Sequence, residues 1–208
     1  MPLTCQQQWE LNTRRIVIVA VLCFIVFVAL RTNGNKIRGF VKDKCEDDKL
    51  PDLFHLYLPD CKQYYMYVET FYIMIIVGSV IYSMTQSNIC VWYEIVCLLI
   101  LFSMIKLICS IVTILPDPSG ICETKKTLGD CNELMPSGHM ATLLIIMFCL
   151  WPTMSDQIKV VYILAVSMYA IGILSVKNHY TIDIMMSFFV VYTLYHLVHP
   201  YLVNTCHE

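Results

Sequence analysis

Two short polar segments interrupt an otherwise apolar chain: Pro136-Ser137-Gly138-His139 and His179-Tyr180-Thr181-Ile182-Asp183. Their residue types suit transfer of a phosphoryl-type group. Asp183 follows His179 by four residues, a spacing that puts both side chains on one face of a helix. With His179 in the first turn, Asp183 accepts a hydrogen bond from its Nδ1–H. That fixes the tautomer and leaves Nε2 as a nucleophile. His139 stands at the start of an apolar run beside Ser137 and Gly138. Glycine admits a close approach of backbone, and N–H groups at a helix start favour phosphate oxygens. His139 can then protonate a departing alcohol. A lone histidine at a helix mouth is more often an interfacial cap; two histidines and an aspartate converging on one membrane face favour chemistry. The thiols and carboxylates form no compact ligand cluster, so neither a metal nor another cofactor is expected.

These groups must be held by membrane helices. Of 208 residues, 58% are hydrophobic and 14% charged, where a soluble domain carries about 25% charged residues. The net charge of -2 and the lack of a basic face argue against a nucleic-acid partner. Apolar runs cover about 15–31, 64–84, 89–115, 137–152, 158–176 and 180–203. Backbone in lipid must satisfy its own hydrogen bonds, so each run is read as a helix. The first has the basic start and apolar middle of a signal peptide, but no small-x-small cleavage pattern follows, which favours a retained helix. The expected fold is an all-α integral membrane protein, one domain over residues 1–208. It has six transmembrane helices, both termini on one side, and loops 32–63 and 116–136 on the other. Both polar segments, and Leu115-Pro116-Asp117-Pro118, fall on the side of the long loops.

Two signals disagree over which compartment that side faces. Lys and Arg crowd it, from Arg31 through Lys49 and again at Lys62, Lys125, Lys126 and Lys177, whereas the opposite side has Arg14, Arg15 and Lys159. The positive-inside rule alone makes the loop side cytoplasmic. Cys45, Cys61, Cys122 and Cys131 lie in the same loops; as disulfides they would require an oxidising compartment, and as free thiols they would not. Lys106 sits ten residues before Pro116, roughly 15 Å along a helix at 1.5 Å per residue. An ammonium at that depth needs a partner or a polar cavity. It either helps to hold a substrate phosphate or pairs with an intramembrane acid, Glu69 or Glu94.

The two polar segments resemble the catalytic motifs of sphingomyelin synthases and their relatives in the type-2 phosphatidic acid phosphatase (PAP2) superfamily. The first motif reads C-G-D-x3-S-G-H-T. Cys131, Ser137, Gly138 and His139 match it, while Asn132, Glu133 and Met140 depart. The second reads H-Y-T-x-D-V; His179 through Asp183 match, and Ile184 replaces the valine. Lys106, Val112-Thr113, Leu115-Pro116 and Pro118 resemble an R-x5-V-T-x-L-P-x-P stretch. Leu50-Pro51-Asp52 resembles the P-L-P-D segment of a first loop.

The resemblance implies a six-helix bundle and a ping-pong transfer. His179 would be the nucleophile oriented by Asp183, and His139 the acid. Lys106, Ser137, Gly138 and Tyr180 would bind substrate. Phosphocholine, or phosphoethanolamine or phosphoinositol, would pass from a phospholipid donor to ceramide or a diacylglycerol-type lipid alcohol through a phosphohistidine. It also implies a Golgi or plasma-membrane site with the active face luminal or extracellular, against the charge count, and is compatible with a homo-oligomer. Lipid phosphatases of the superfamily carry K-x6-R-P and S-R-x5-H-x3-D. Here Ile173 stands six before His179 and no Arg-Pro follows Lys106, which argues against a plain phosphatase. The alternatives are such a phosphatase, with water as acceptor, and a non-catalytic lipid-binding membrane protein.

Overall fold

The structure is a computed structural model and describes residues 52–86, 89–113 and 135–207, with isolated positions Val21, Ile25, Val28 and Pro118. The described elements are helical. A short helix α1 (Leu53–Tyr57) and a 3₁₀ turn (Lys62–Tyr64) precede α2 (Tyr65–Thr85), α3 (Ile89–Val112), α4 (Gly138–Leu150), α5 (Asp156–Ser175) and α6 (Thr181–His207). Four stretches are long and apolar enough to cross a membrane: Lys62–Thr85, Cys90–Cys109, Asp156–Ser175 and Thr181–Leu202. Of the first expected helix, 15–31, only Val21, Ile25 and Val28 are described, each helical, so the count of six rests outside the described residues.

The exposure pattern identifies the solvent as lipid. Val161, Leu164, Met168, Phe189 and Leu197 point outward, while Ser79, Ser83, Glu94, Ser187 and Asp183 are buried. In a bilayer, apolar side chains gain nothing by leaving the tails, so packing and interhelical hydrogen bonds hold the bundle. Both occur here. The Ser79 and Tyr162 hydroxyls of α2 and α5 meet at 3.1 Å, and the Tyr82 hydroxyl donates to the Thr153 carbonyl at 2.7 Å.

Helix α4 is the hub, in contact with α2, α3, α5 and α6. It is apolar on every side, which suits a helix surrounded by others; Leu143, Leu144, Ile145 and Leu150 are at most 2% exposed. Its 13 residues span about 20 Å, less than the ~30 Å hydrocarbon core. It is short because it starts inside the bundle. Ser137, fully buried, is its N-cap and accepts from the Met140 N–H. The Ser137 N–H in turn donates to the Asp183 carbonyl of α6 at 3.2 Å. The Ser187 hydroxyl contacts the Ser137 and Asp183 carbonyls at 2.9 and 2.7 Å. The mouths of α4 and α6 are thereby joined.

Helix α5 ends in a Schellman motif. Lys177 adopts φ 55°, its N–H donates to the Leu174 carbonyl at 3.0 Å, and the Asn178 N–H donates to the Ile173 carbonyl at 3.1 Å. Glycine usually fills this left-handed position. Here the lysine is retained, and its ammonium reaches Asp60 at 3.1 Å.

Candidate functional site

His139, in the first turn of α4, and His179, just before α6, face each other with ring centroids 6.4 Å apart and planes at 65°. The side chain of His139 is 38% exposed and that of His179 6%, so His139 is the more accessible of the two.

The His179–Asp183 contact forms as expected, with Nδ1 to Oδ2 at 3.3 Å, but not by the expected geometry. His179 is not in the helix, since α6 begins at Thr181, so a shared helical face does not explain it. Asp183 instead occupies the third helical position and reaches back to the Tyr180 N–H at 2.8 Å. This is the return half of a capping box. The same carboxylate oxygen thus ties the helix start and the imidazole together. Its other oxygen, Oδ1, is buried without a hydrogen-bond partner.

His139 has its own acid. Glu69 of α2 places Oε2 at 3.5 Å from His139 Nε2, and Tyr72 packs edge-on against the ring at 4.8 Å. Of the two acids considered for Lys106, Glu69 lies against His139, and Glu94 pairs with His199. Lys106 lies at the mouth of α4, where a Cβ on Gly138 would come within 3.2 Å of Nζ. Glycine at 138 therefore makes room for an ammonium beside His139.

Ser137 and Tyr180, expected to bind substrate, are 0% and 2% exposed. Ser137 caps α4, and the Tyr180 ring packs against His55 at 5.6 Å. Of the two alternatives left open for the loop cysteines, Cys61 shows the free thiol; its N–H donates to the Ser175 carbonyl at 3.0 Å. Cys45, Cys122 and Cys131, and the Leu115-Pro116-Asp117 segment, lie outside the described residues. Cys90, at the opposite end of the bundle, is disulfide-bonded. Among the described residues, no group of three or more His, Cys, Asp or Glu is arranged to hold a metal ion.

Sequence reasoning missed Glu69 as a partner of His139, and missed Asp52 and His55 altogether as site residues. Glu69 left a signal, being an acid inside an apolar run. Asp52 caps α1 and also receives the Thr181 N–H and hydroxyl, both at 2.7 Å. The His55 Nε2–H donates to the His179 carbonyl at 3.0 Å. Burial acts to raise the Asp52 pKa, but the hydrogen bonds from Thr181 and His55, with the His55 charge, outweigh it and hold the carboxyl below its ordinary value.

Taken together, the arrangement sets two imidazoles opposite each other, each with a carboxylate beside it, and an ammonium at the mouth of α4. The family model described as PAP2 superfamily C-terminal matches residues 130–200, the stretch that contains both histidines. No curated protein and no solved structure matches the chain.

Proposed function

We propose that the chain, whose residues 130–200 match the PAP2 superfamily C-terminal model, transfers a phospholipid head group to a lipid alcohol through a phosphohistidine. His179 Nε2 bonds to the phosphorus of a glycerophospholipid as the bond from phosphorus to the diacylglycerol oxygen breaks. His139 gives its proton to that oxygen. The hydroxyl of ceramide or a related lipid alcohol then attacks the phosphohistidine, His139 takes the hydroxyl proton, and the N–P bond breaks. Phosphocholine, phosphoethanolamine and phosphoinositol are the groups this route can carry. Lys106 stands where it can offset phosphate charge.

The observation that carries the reading is the Nδ1 contact of His179 with Asp183, set opposite His139. It leaves Nε2 to attack and keeps the ring in one tautomer. Glu69 plays the matching part for His139, since its carboxylate stabilises the imidazolium formed when His139 takes a proton. The membrane setting adds support: the substrates would be lipids, and the facing histidines lie at one end of a lipid-exposed bundle.

The test is reconstitution in vesicles with fluorescent ceramide and, in turn, choline, ethanolamine and inositol phospholipids. Head-group-bearing ceramide, with loss of the product in His179→Ala, is the expected result. Release of free phosphate from phosphatidic acid without any ceramide product would replace this reading with a phosphatase. Full activity in His179→Ala would remove the nucleophile assigned to it.

A further inference from the structure

The segment before the first described membrane span runs antiparallel to the link that carries His179. The Cys61 N–H meets the Ser175 carbonyl at 3.0 Å, and Asp60 meets Lys177 at 3.1 Å. The His55 Nε2–H meets the His179 carbonyl at 3.0 Å, and Asp52 meets Thr181 at 2.7 Å through both its N–H and hydroxyl. As one strand of chain descends from 61 to 52, its partners climb from 175 to 181. We propose that residues 52–61 form an interfacial strap that positions His179. Asp52 and His55 are its positioning residues, and the lipid surface of the membrane is the partner of its outer face. The inference rests on the reading of His179 as the nucleophile.

The link needs such a strap. Residues 176–180 belong to no helix, and Lys177 within them takes a left-handed conformation. The Schellman bonds fix the link only as far as Asn178, and His179 lies between that motif and the start of α6. The start of α6 is also incompletely capped from within. An N-cap side chain normally accepts an N–H of the first turn, and Tyr180, at that position, presents a ring to His55 instead. Asp183 supplies the return bond to Tyr180. Asp52, 129 residues away in sequence, supplies the missing acceptor and places a negative charge at the positive end of α6. One carboxylate therefore caps two helices, α1 and α6, and locks them together. His55 secures the carbonyl of the nucleophile itself.

The outer face of the strap fits lipid. Leu53, Phe54, Leu56 and Tyr57 are 64%, 46%, 77% and 81% exposed. Such a patch is costly in water. The strap runs straight into the span Lys62–Thr85, and Tyr64 and Tyr67, at the head of that span, are exposed as well. Aromatic residues at that level mark the head-group zone, and the patch continues the lipid-facing surface of α2. A polar inner face and an apolar outer face make the strap a short amphipathic element lying in the interface.

The test uses the full chain in phosphatidylcholine vesicles. Tyr57→Trp fluorescence is expected to be quenched when brominated phosphatidylcholine replaces the ordinary lipid; an unquenched tryptophan overturns the lipid seat. Positioning is read without turnover, as the rate at which diethylpyrocarbonate modifies His179, followed by mass spectrometry. Asp52→Ala and His55→Ala are expected to raise that rate several-fold. An unchanged rate in both overturns the strap even if the enzyme is active. Where transfer is measurable, Asp52→Ala lowers kcat about 100-fold, the effect of a misplacement near 1 Å, while KM holds. Combining it with Thr181→Val adds little, because Asp52→Ala already removes the hydroxyl contact that Thr181→Val would break; losses that multiply overturn the coupling. His55→Gln, which keeps a donor near Nε2, restores most of what His55→Ala loses. Should Asp52→Ala not fold, Asp52→Asn and the His55 pair give the same readings. A wild-type protein that transfers no head group would sink the proposed function, while the His179 modification rates would still decide the strap.

Discussion

Asp183→Asn is the sharpest perturbation of the proposed chemistry, because it keeps shape and changes only charge and donor pattern. The residue is fully buried, and its Oδ2 accepts from the Tyr180 N–H at 2.8 Å while lying 3.3 Å from His179 Nδ1. An asparagine can still accept from Tyr180 through its oxygen. Its NH₂ must then face elsewhere or donate to Nδ1. If it donates to Nδ1, that nitrogen becomes the acceptor, the ring proton moves to Nε2, and the nucleophilic lone pair is lost. A hydrogen bond to a charged group contributes about 1.5–3 kcal/mol. At 1.36 kcal/mol per decade this alone is worth roughly 10- to 150-fold in rate, and the 3.3 Å separation favours the lower part of that range. Inversion of the tautomer adds to it; the equivalent change in a serine-protease triad costs about 10⁴-fold. The expected loss in kcat for head-group transfer is therefore between ~10² and ~10⁴. The assay is transfer to fluorescent ceramide in vesicles, with the thermal transition of the variant recorded to show that it folds. A folded Asp183→Asn protein keeping a third or more of wild-type kcat would refute the tautomer argument.

Three further outcomes are expected. Glu69→Gln removes the carboxylate 3.5 Å from His139 Nε2, and should lower kcat roughly 10- to 100-fold, the low end of general acid–base contributions, with KM little changed in initial-rate measurements. Gly138→Ala places a Cβ 3.2 Å from Lys106 Nζ, and should displace the ammonium and raise KM for phospholipid more than it destabilises the fold. Comparing KM with the melting temperature checks this. The Asp52 carboxyl is held below its ordinary value of 3.8; the folded state thus binds its proton less readily than the unfolded chain. Its stabilisation is fully present above the unfolded value and disappears as pH falls through the lower, folded value. The melting-temperature gap between wild type and Asp52→Asn should therefore be constant from neutral pH down to about pH 4 and shrink below it.

Much of this protein was legible in its residues. Runs of apolar side chains can be satisfied in lipid only as helices, so the helical membrane class follows from composition and run length alone. His139, His179 and Asp183 stand out because polar groups are costly at membrane depth and therefore conspicuous in such a chain. The four-residue spacing of His179 and Asp183 was read correctly as a contact and wrongly as a shared helical face. Where a helix begins depends on its cap, and the cap of α6 comes from Asp52, far upstream. The same limit applies to Glu69. Its position in an apolar run marks it as unusual, yet that it lies against His139 is set by helix packing. Periodicity and local motif are short-range properties, carried by neighbours along the chain. Which buried acid faces which base, and which distant segment closes a helix end, depend on how α1, α2, α4 and α6 are brought together, and only the tertiary structure decides that.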